Sequence, residues 1–444
     1  MSEGMTLPNG DEIARVAQLI EETGIHAVRV SLCDLHGIAR GRPVPARAFL
    51  DRVARDGMFM TNFLLAIDTA VGIAPVTSID LTNGFPNWRM VPDLTTLTPL
   101  PWAPGQARVI ADLYDPDGQP AALPRRLLKS VLAEAQRDGF TVDSALEYEF
   151  YVFRTDATGN RVPFDLSIQY ASELVHAQAE DIWAPIFAAM EGMGIGVEAV
   201  QHEYTHGQLE INLAHQRGLR AADDGFQFKT SVKEILARRG YLATFMAKPL
   251  NTGNANGCHL HVSLLDGDGH NLFNDPAAEH GVSQAFWHFL AGQLEHAAGM
   301  MVLTSPTLNC YKRLVPNRFA PLAATWGWED RTVLIRIPMQ RGPATHLENR
   351  IASAAGNPYL VTAAILAAGL DGIRCKAPLP DGQNAPSLPR SMPEALDALQ
   401  ADTVMVRTFG EQFVRDYVAI KTMEVERART YVTDWDRQEY MEMF

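Results

Sequence analysis

The chain reads as an α+β protein with two unequal domains, and three observations carry that reading. At 444 residues it is long for one core, since domains run at about 150 residues. Amphipathic helical stretches alternate with short extended stretches that carry acids, imidazoles and guanidinium groups. Between a small first module and the remainder lies TPLPWAPGQ, in which Pro99, Pro101 and Pro104 interrupt both regular structures. The boundary is therefore expected near residue 104, dividing the chain into residues 1–104 and 105–444.

The elements follow in order. DEIARVAQLIEE places Ile13, Val16, Ala17 and Ile20 at helical spacing, with Asp11 near its start and Gly24 past its end. HAVRVSL alternates Val28, Val30 and Leu32 inward as a strand, Asp34 to Gly37 reads as a turn, and IARGRPVPA as a second extended piece. Beyond the proline-rich stretch, helices are expected around Pro124 to Asp138, Glu180 to Met193, Ala222 to Arg238 and Ser283 to Met300. From Gly382 onward GQNAPSLPRSMPEA reads as a proline-punctuated surface loop.

Composition narrows the function. With 47% hydrophobic and 20% charged residues the chain is that of a folded globular protein. A net charge of −14, with no basic cluster to override it, argues against nucleic acid as a partner. Cys33, Cys258, Cys310 and Cys375 are scattered without a CxxC pair, which fits neither a disulfide framework nor a zinc knuckle. The start MSEGMTLPNGDE carries no basic leader, and no uninterrupted apolar run approaches a bilayer span. A cytoplasmic setting away from the membrane is expected.

Four segments carry the chemistry: SALEYEF, HGQLEINL, GCHLHVSL and THLENRI. In an extended strand successive side chains point to opposite faces, so Glu147 with Glu149, Gln208 with Glu210, His259 with His261, and Glu348 with Arg350 each share a face. Leu146, Tyr148, Leu209, Ile211, Leu260, Val262 and Leu347 take the other. A single acidic pair is the ordinary dress of a solvated strand. Here, however, Leu146, Tyr148, Phe150 and Tyr151 imply burial, and buried carboxylates need a neutralising cation. Oxygen ligands with an occasional imidazole suit Mg²⁺ or Mn²⁺ better than structural zinc. Arg313, Arg331 and Arg336 form an arginine-rich region, and Arg336, between Ile335 and Ile337, calls for an anionic partner such as phosphate or carboxylate. Glycine-rich phosphate loops are absent, so phosphates would be held by metals and arginines instead.

In their order, EYEF, HEYTHGQLE, FMAKP, NANGCHLHVSL, NCYKRLVP, DRTVLIRIP, HLENR and NPYLVTAAILAAGLDGI resemble the glutamine synthetase superfamily through nearly the whole chain. The resemblance implies a small N-terminal β-grasp domain and a large catalytic domain with a curved antiparallel sheet flanked by helices. It also implies a homo-oligomer, a dodecamer of two stacked hexameric rings with active sites shared between neighbours. Its first metal site falls on Glu149, Glu203 and Glu210, and its second on Glu147, His259 and Glu348. Its glutamate pocket falls on Glu149, Asn254, Arg313 and Arg350, and its ATP contacts on His261, Ser263, Arg331 and Arg336. The implied chemistry is transfer of the ATP γ-phosphoryl group to the glutamate side chain, then displacement of phosphate by an amine. Arg331 and Arg350 would steady the transferred group.

The sequence departs from that pattern where ammonia is handled. The flap glutamate that follows KRLVP in true glutamine synthetases is Phe319 here, and the N-terminal loop aspartate is replaced by Met60 or Thr61. An aromatic face attracts an alkylammonium by about 0.5 to 2 kcal/mol and packs against its methyl group. A small alkylamine, methylamine first, is therefore the expected co-substrate with Phe319 at its site. Polyamine- and anilide-forming relatives, an ordinary ammonia-using enzyme and a non-catalytic ring of the same fold are the alternatives. Ala255 beside Asn254, and His346 in place of an arginine, are lesser departures.

Overall fold

The computed structural model describes residues 4–165, 170–316, 318–380 and 385–444. The first helix, Gly10–Glu22, buries Ile13, Val16 and Ile20 as the spacing predicts. Its cap is Asn9, whose side chain accepts from the Asp11 and Glu12 amides while Glu12 reaches back to the Asn9 amide. Strands β1 (Ala27–Cys33) and β2 (Ala39–Pro45) form the expected hairpin. In its turn Asp34 accepts from the His36 and Ile38 amides and pairs with Arg40.

Strands β3 (Met58–Thr61), β4 (Asn87–Pro92), β5 (Thr98–Pro99) and β6 (Gln106–Tyr114) complete a first sheet ordered β2-β1-β6-β4-β3, with β5 on β6 and with β1 and β6 parallel. The proline-rich stretch is thus a turn inside this sheet, where the Leu100 amide donates to the Gln106 carbonyl. The first sheet continues to Tyr114, beyond residue 104. Proline ends a strand locally without preventing the chain from turning back onto the same sheet.

The second sheet carries the chemistry. Its strands are β7 (Thr141–Thr155), β8 (Arg161–Pro163), β9 (Val197–His202), β10 (Gln208–Leu213), β11 (Gln216–Arg217), β12 (Leu242–Thr244), β13 (Cys258–Leu265), β14 (Trp326–Trp328), β15 (Ile335–Ile337) and β16 (Leu347–Asn349). Among the described residues the order is β14-β15-β16-β13-β7-β10-β9, with β8, β11 and β12 also on β7. All pairs but β14 with β15 are antiparallel. The period-two assignment holds: Leu146, Tyr148, Leu209, Ile211, Leu260, Val262 and Leu347 are at most 1% exposed. On that face Tyr148 stacks on Phe228, with centroids 5.6 Å apart, and Phe150 meets Phe245 at 5.3 Å. Burial of these large rings is what commits the opposite face to the polar set.

Helices Pro124–Arg137, Glu180–Gly192 and Arg220–Ala237 match the expected positions. The fourth is two helices, Gln284–Glu295 and Ala297–Thr304, broken at His296, whose ring meets Asp402 at 2.9 Å and Asp371 at 3.5 Å. Helix Pro358–Cys375 is long and apolar enough to cross a membrane by length and composition, but Asp371 and Arg374 interrupt it and most of it is buried against its neighbours. It crosses Gln284–Glu295 so closely that a Cβ on Gly292 would lie 2.2 Å from the Ala368 carbonyl oxygen. The loop expected from Gly382 begins outside the described residues; Ser391 then caps helix Met392–Ala401.

The first sheet is tied to the remainder by ion pairs. Arg125 meets Asp223 at 2.9 Å, Asp93 at 2.8 Å and Asp112 at 3.3 Å, and Arg29 meets Glu234 at 2.8 Å.

Candidate active site

Strand register assembles the polar face. Glu210 lies opposite Glu149 and Asn212 opposite Glu147 across β10 and β7, and His259 lies opposite Glu147 across β13 and β7. On the far side Glu348 lies opposite His261, and Arg336 opposite Glu348. This face floors a cavity of about 560 Å³, which Glu203, Asn254, Arg313, Arg331, Phe319 and Arg350 also line. Of the residues singled out from sequence, Ser263 is not brought in. It sits further along β13, buried, opposite Asp143.

The carboxylates fall into two electrostatic groups. On one side burial and the charges of Glu147, Glu149 and Glu203 push Glu210 up to about 10. Burial and the Glu203 charge push Glu149 up to about 7 against the Gly257 amide and two arginines, and burial also raises Glu203. Three acids so crowded form a site that favours a cation. On the other side burial is outweighed. Hydrogen bonds from His259 and His261 hold Glu147 well below the usual range, and Arg350 with the two histidines holds Glu348 at about 2.

Contacts within the second group are close. His259 Nδ1 lies 2.7 Å from Glu147 Oε1 and 3.5 Å from Glu348 Oε1, and Asn212 Nδ2 donates to Glu147 Oε2 at 2.6 Å. Donor atoms of Glu147, His261 and Glu348 all fall within 4.8 Å of one another, so these three could hold a metal ion, with His259 beside Glu147 and Glu348. The set is oxygen with imidazole and without thiolate, which fits a hard divalent cation.

The arginines differ from one another. Glu348, wholly buried, bridges Arg336 Nη1 and Arg350 Nη1, and Arg336 also meets Glu329 at 3.0 Å. The anionic partner expected for Arg336 is thus supplied by the protein's own carboxylates. Arg313 is buried with its guanidinium on the Ile351 and Arg350 carbonyls, so its charge is not cancelled by a paired acid; burial lowers its pKa to about 10. Arg350 Nε is buried without a hydrogen-bond partner, and Arg331 stands exposed at the rim. Arg313 therefore offers an anion, carboxylate or phosphoryl, a positive charge with no paired acid among the described residues, and Arg350 adds a free Nε donor beside its Glu348 pair.

The comparisons with known proteins bear on the whole chain. The glutamine synthetase catalytic-domain model matches residues 121–440. The chain belongs to the glutamine synthetase family. Relatives include a glutamate–isopropylamine ligase of Pseudomonas sp., 33% identical and covering 99% of this chain and 100% of the relative. The glutamine synthetase of Thermotoga maritima is 34% identical, covering 97% and 99%. Among solved structures, GmaS with ADP superposes with a TM-score of 0.85 at 31% identity, covering 96% of this chain and 99% of that one. The family's members are ATP-dependent ligases that use divalent metals, glutamate and an amine or ammonia, and this chain is an ATP-dependent ligase of that kind.

Sequence reasoning missed Asn212 and Tyr204. Asn212 was legible, since it continues the period-two face of Glu210. Tyr204 was not, because its neighbour in space, Phe319, is far away in the chain. His346, beside His261 at 3.1 Å, is pushed down to about 4 by burial and by the His261 charge.

Proposed function

We propose that this ligase joins the side-chain carboxylate of L-glutamate to a small alkylamine, methylamine above others, giving γ-glutamylmethylamide as γ-glutamylmethylamide synthetases do. The observation that carries this reading is Phe319: an aromatic ring, not a carboxylate, lines the cavity just after the KRLVP segment. A ring cannot accept a proton from ammonium but attracts and packs an alkylammonium. Kinship with a glutamate–isopropylamine ligase and with GmaS supports an alkylamine over ammonia.

Roles follow the geometry. Glu149, Glu203 and Glu210 would hold one divalent cation, and Glu147, His259 and Glu348 a second, with His261 beside it. When bound, such cations (Mg²⁺ or Mn²⁺) supply alignment of the ATP phosphates and offset their charge. Arg313, Arg350 and Asn254 would bind glutamate beside Glu149. The rim residue Arg331 would stabilise the phosphoryl group as it moves from ATP to the carboxylate oxygen, with ADP leaving. The amine nitrogen then attacks the acyl carbon of γ-glutamyl phosphate, inorganic phosphate departs and the nitrogen loses a proton. Arg336 is best assigned to positioning Glu348, with an ATP contact on its remaining edge.

Two domains are proposed, with the junction between Tyr114 and Pro124. That position is supported by the end of the first sheet and by the family match beginning at residue 121. A dodecamer of stacked hexameric rings, in the cytoplasm, completes the proposal, and light scattering on the purified protein checks the subunit number. The chemistry is tested by phosphate release with ATP, glutamate and Mg²⁺ against ammonia, methylamine, ethylamine, putrescine and aniline. Methylamine is expected to give the highest kcat/KM; ammonia outperforming it would end the alkylamine assignment.

A further inference from the structure

The cavity wall above Glu203 is a column of three aromatic rings. Tyr170 and Tyr204 stack with centroids 4.2 Å apart and planes within 8°. Tyr204 and Phe319 face one another at 6.2 Å with planes within 18°. Both pairs are near-parallel, and Tyr204 and Phe319 border the same cavity. Phe319 is 52% exposed on a loop.

The Tyr170 end of the column is braced. Gln201 Nε2 donates to the Tyr170 hydroxyl at 2.9 Å and to Glu203 Oε1 at 2.9 Å, so one amide ties the aromatic column to the carboxylate beneath it. Tyr204 and Phe319 also line a second cavity of about 630 Å³, with Leu250 and Pro163 among its walls. The pair thus borders both the reaction cavity and a partly apolar space.

We propose that Tyr204 and Phe319 are the two walls of an amine-selecting slot. The ammonium end of the amine lies between the rings on the side of Glu203, and its unbranched chain points toward the second cavity. An unbranched chain packs flat against both near-parallel rings, and branching at the carbon next to nitrogen lifts the guest off one of them. This separates the chain's substrate class, unbranched primary alkylamines, from α-branched ones such as isopropylamine. The inference rests on the alkylamine reading above and deepens it.

Phosphate release is measured for the purified full-length enzyme and for Tyr204→Ala and Tyr204→Phe, with methylamine, n-propylamine and isopropylamine. The parent is expected to favour methylamine and n-propylamine over isopropylamine. Tyr204→Ala should lower that preference about tenfold, by raising the KM for unbranched amines while the KM for glutamate and ATP holds. Tyr204→Phe, which keeps the ring, should retain it. A preference unchanged in Tyr204→Ala, with glutamate and ATP constants intact, overturns the slot. So does a parent that uses isopropylamine as well as methylamine. If the parent uses ammonia but no alkylamine, the proposed function itself fails, an outcome distinct from either of these. Tyr204 is 48% exposed, and thermal melting of both variants verifies that they fold.

Discussion

Replacing Glu210 by glutamine should stabilise the metal-free protein while weakening its response to Mg²⁺. Glu210 carries the largest electrostatic penalty among the clustered acids, pushed from an ordinary 4.5 up to about 10 by burial and by Glu147, Glu149 and Glu203. Each pH unit by which a group is held neutral above its ordinary value costs about 1.4 kcal/mol, so near pH 7.5 the upper limit is about 4 kcal/mol. Relaxation and water entry reduce this to roughly 1 to 2 kcal/mol. A gain of that size raises Tm by about 1 °C per kcal/mol, because an unfolding entropy of roughly 2.1 cal/mol/K per residue comes to about 0.9 kcal/mol/K for this chain. Because folding raises the pKa, the folded protein binds more protons than the unfolded chain between 4.5 and about 10. Metal-free stability therefore falls as pH rises through that window, and the glutamine variant should show a shallower fall. The assay is thermal melting in EDTA and in excess Mg²⁺ across pH 5.5 to 9 (roughly the span in which the titration acts). The parent should gain more from Mg²⁺ than the variant does. A variant less stable than the parent in EDTA, or one that gains as much from Mg²⁺, would refute the assignment of Glu210 to a cation site.

Three further outcomes are expected. Phe319→Glu should weaken methylamine use and raise ammonia use in kcat/KM; unchanged selectivity would mean the amine is chosen elsewhere. Glu348→Ala removes the wholly buried carboxylate that both Arg336 and Arg350 share, leaving buried Arg350 without its acid and Arg336 with Glu329 alone, and should cost roughly 3 to 5 kcal/mol in chemical denaturation together with loss of phosphate release. Arg125→Met leaves Asp93, Asp112 and Asp223 without their common partner, and should lower Tm markedly while folded enzyme retains activity within about threefold, since Arg125 lies away from the cavity. A Tm within about 1 °C of the parent would show that those aspartates find other partners.

Much of the site was legible because a strand's alternation is a local property. Glu147 shares a face with Glu149, and His259 with His261, whatever the strands pair with, and the apolar partners Tyr148 and Leu260 decide which face is buried. Helix positions were likewise recoverable from their own periodicity. The proline-rich stretch reports on its own backbone and not on whether the chain returns to the same sheet, as it does at β6.

Register and long-range proximity lie outside any local rule. That Glu210 stands across from Glu149, and Glu348 from both His261 and Arg336, is fixed by interstrand hydrogen bonds between segments far apart in sequence. The same holds for Glu348 claiming the guanidinium groups of Arg336 and Arg350, and for Tyr204 lying near-parallel to Phe319. The chain's residue types and their alternation set the chemistry of a metal- and phosphate-handling ligase. The three-dimensional packing sets which carboxylates repel, which are paired, and how wide an opening faces the amine, because those quantities depend on distances that no stretch of chain contains.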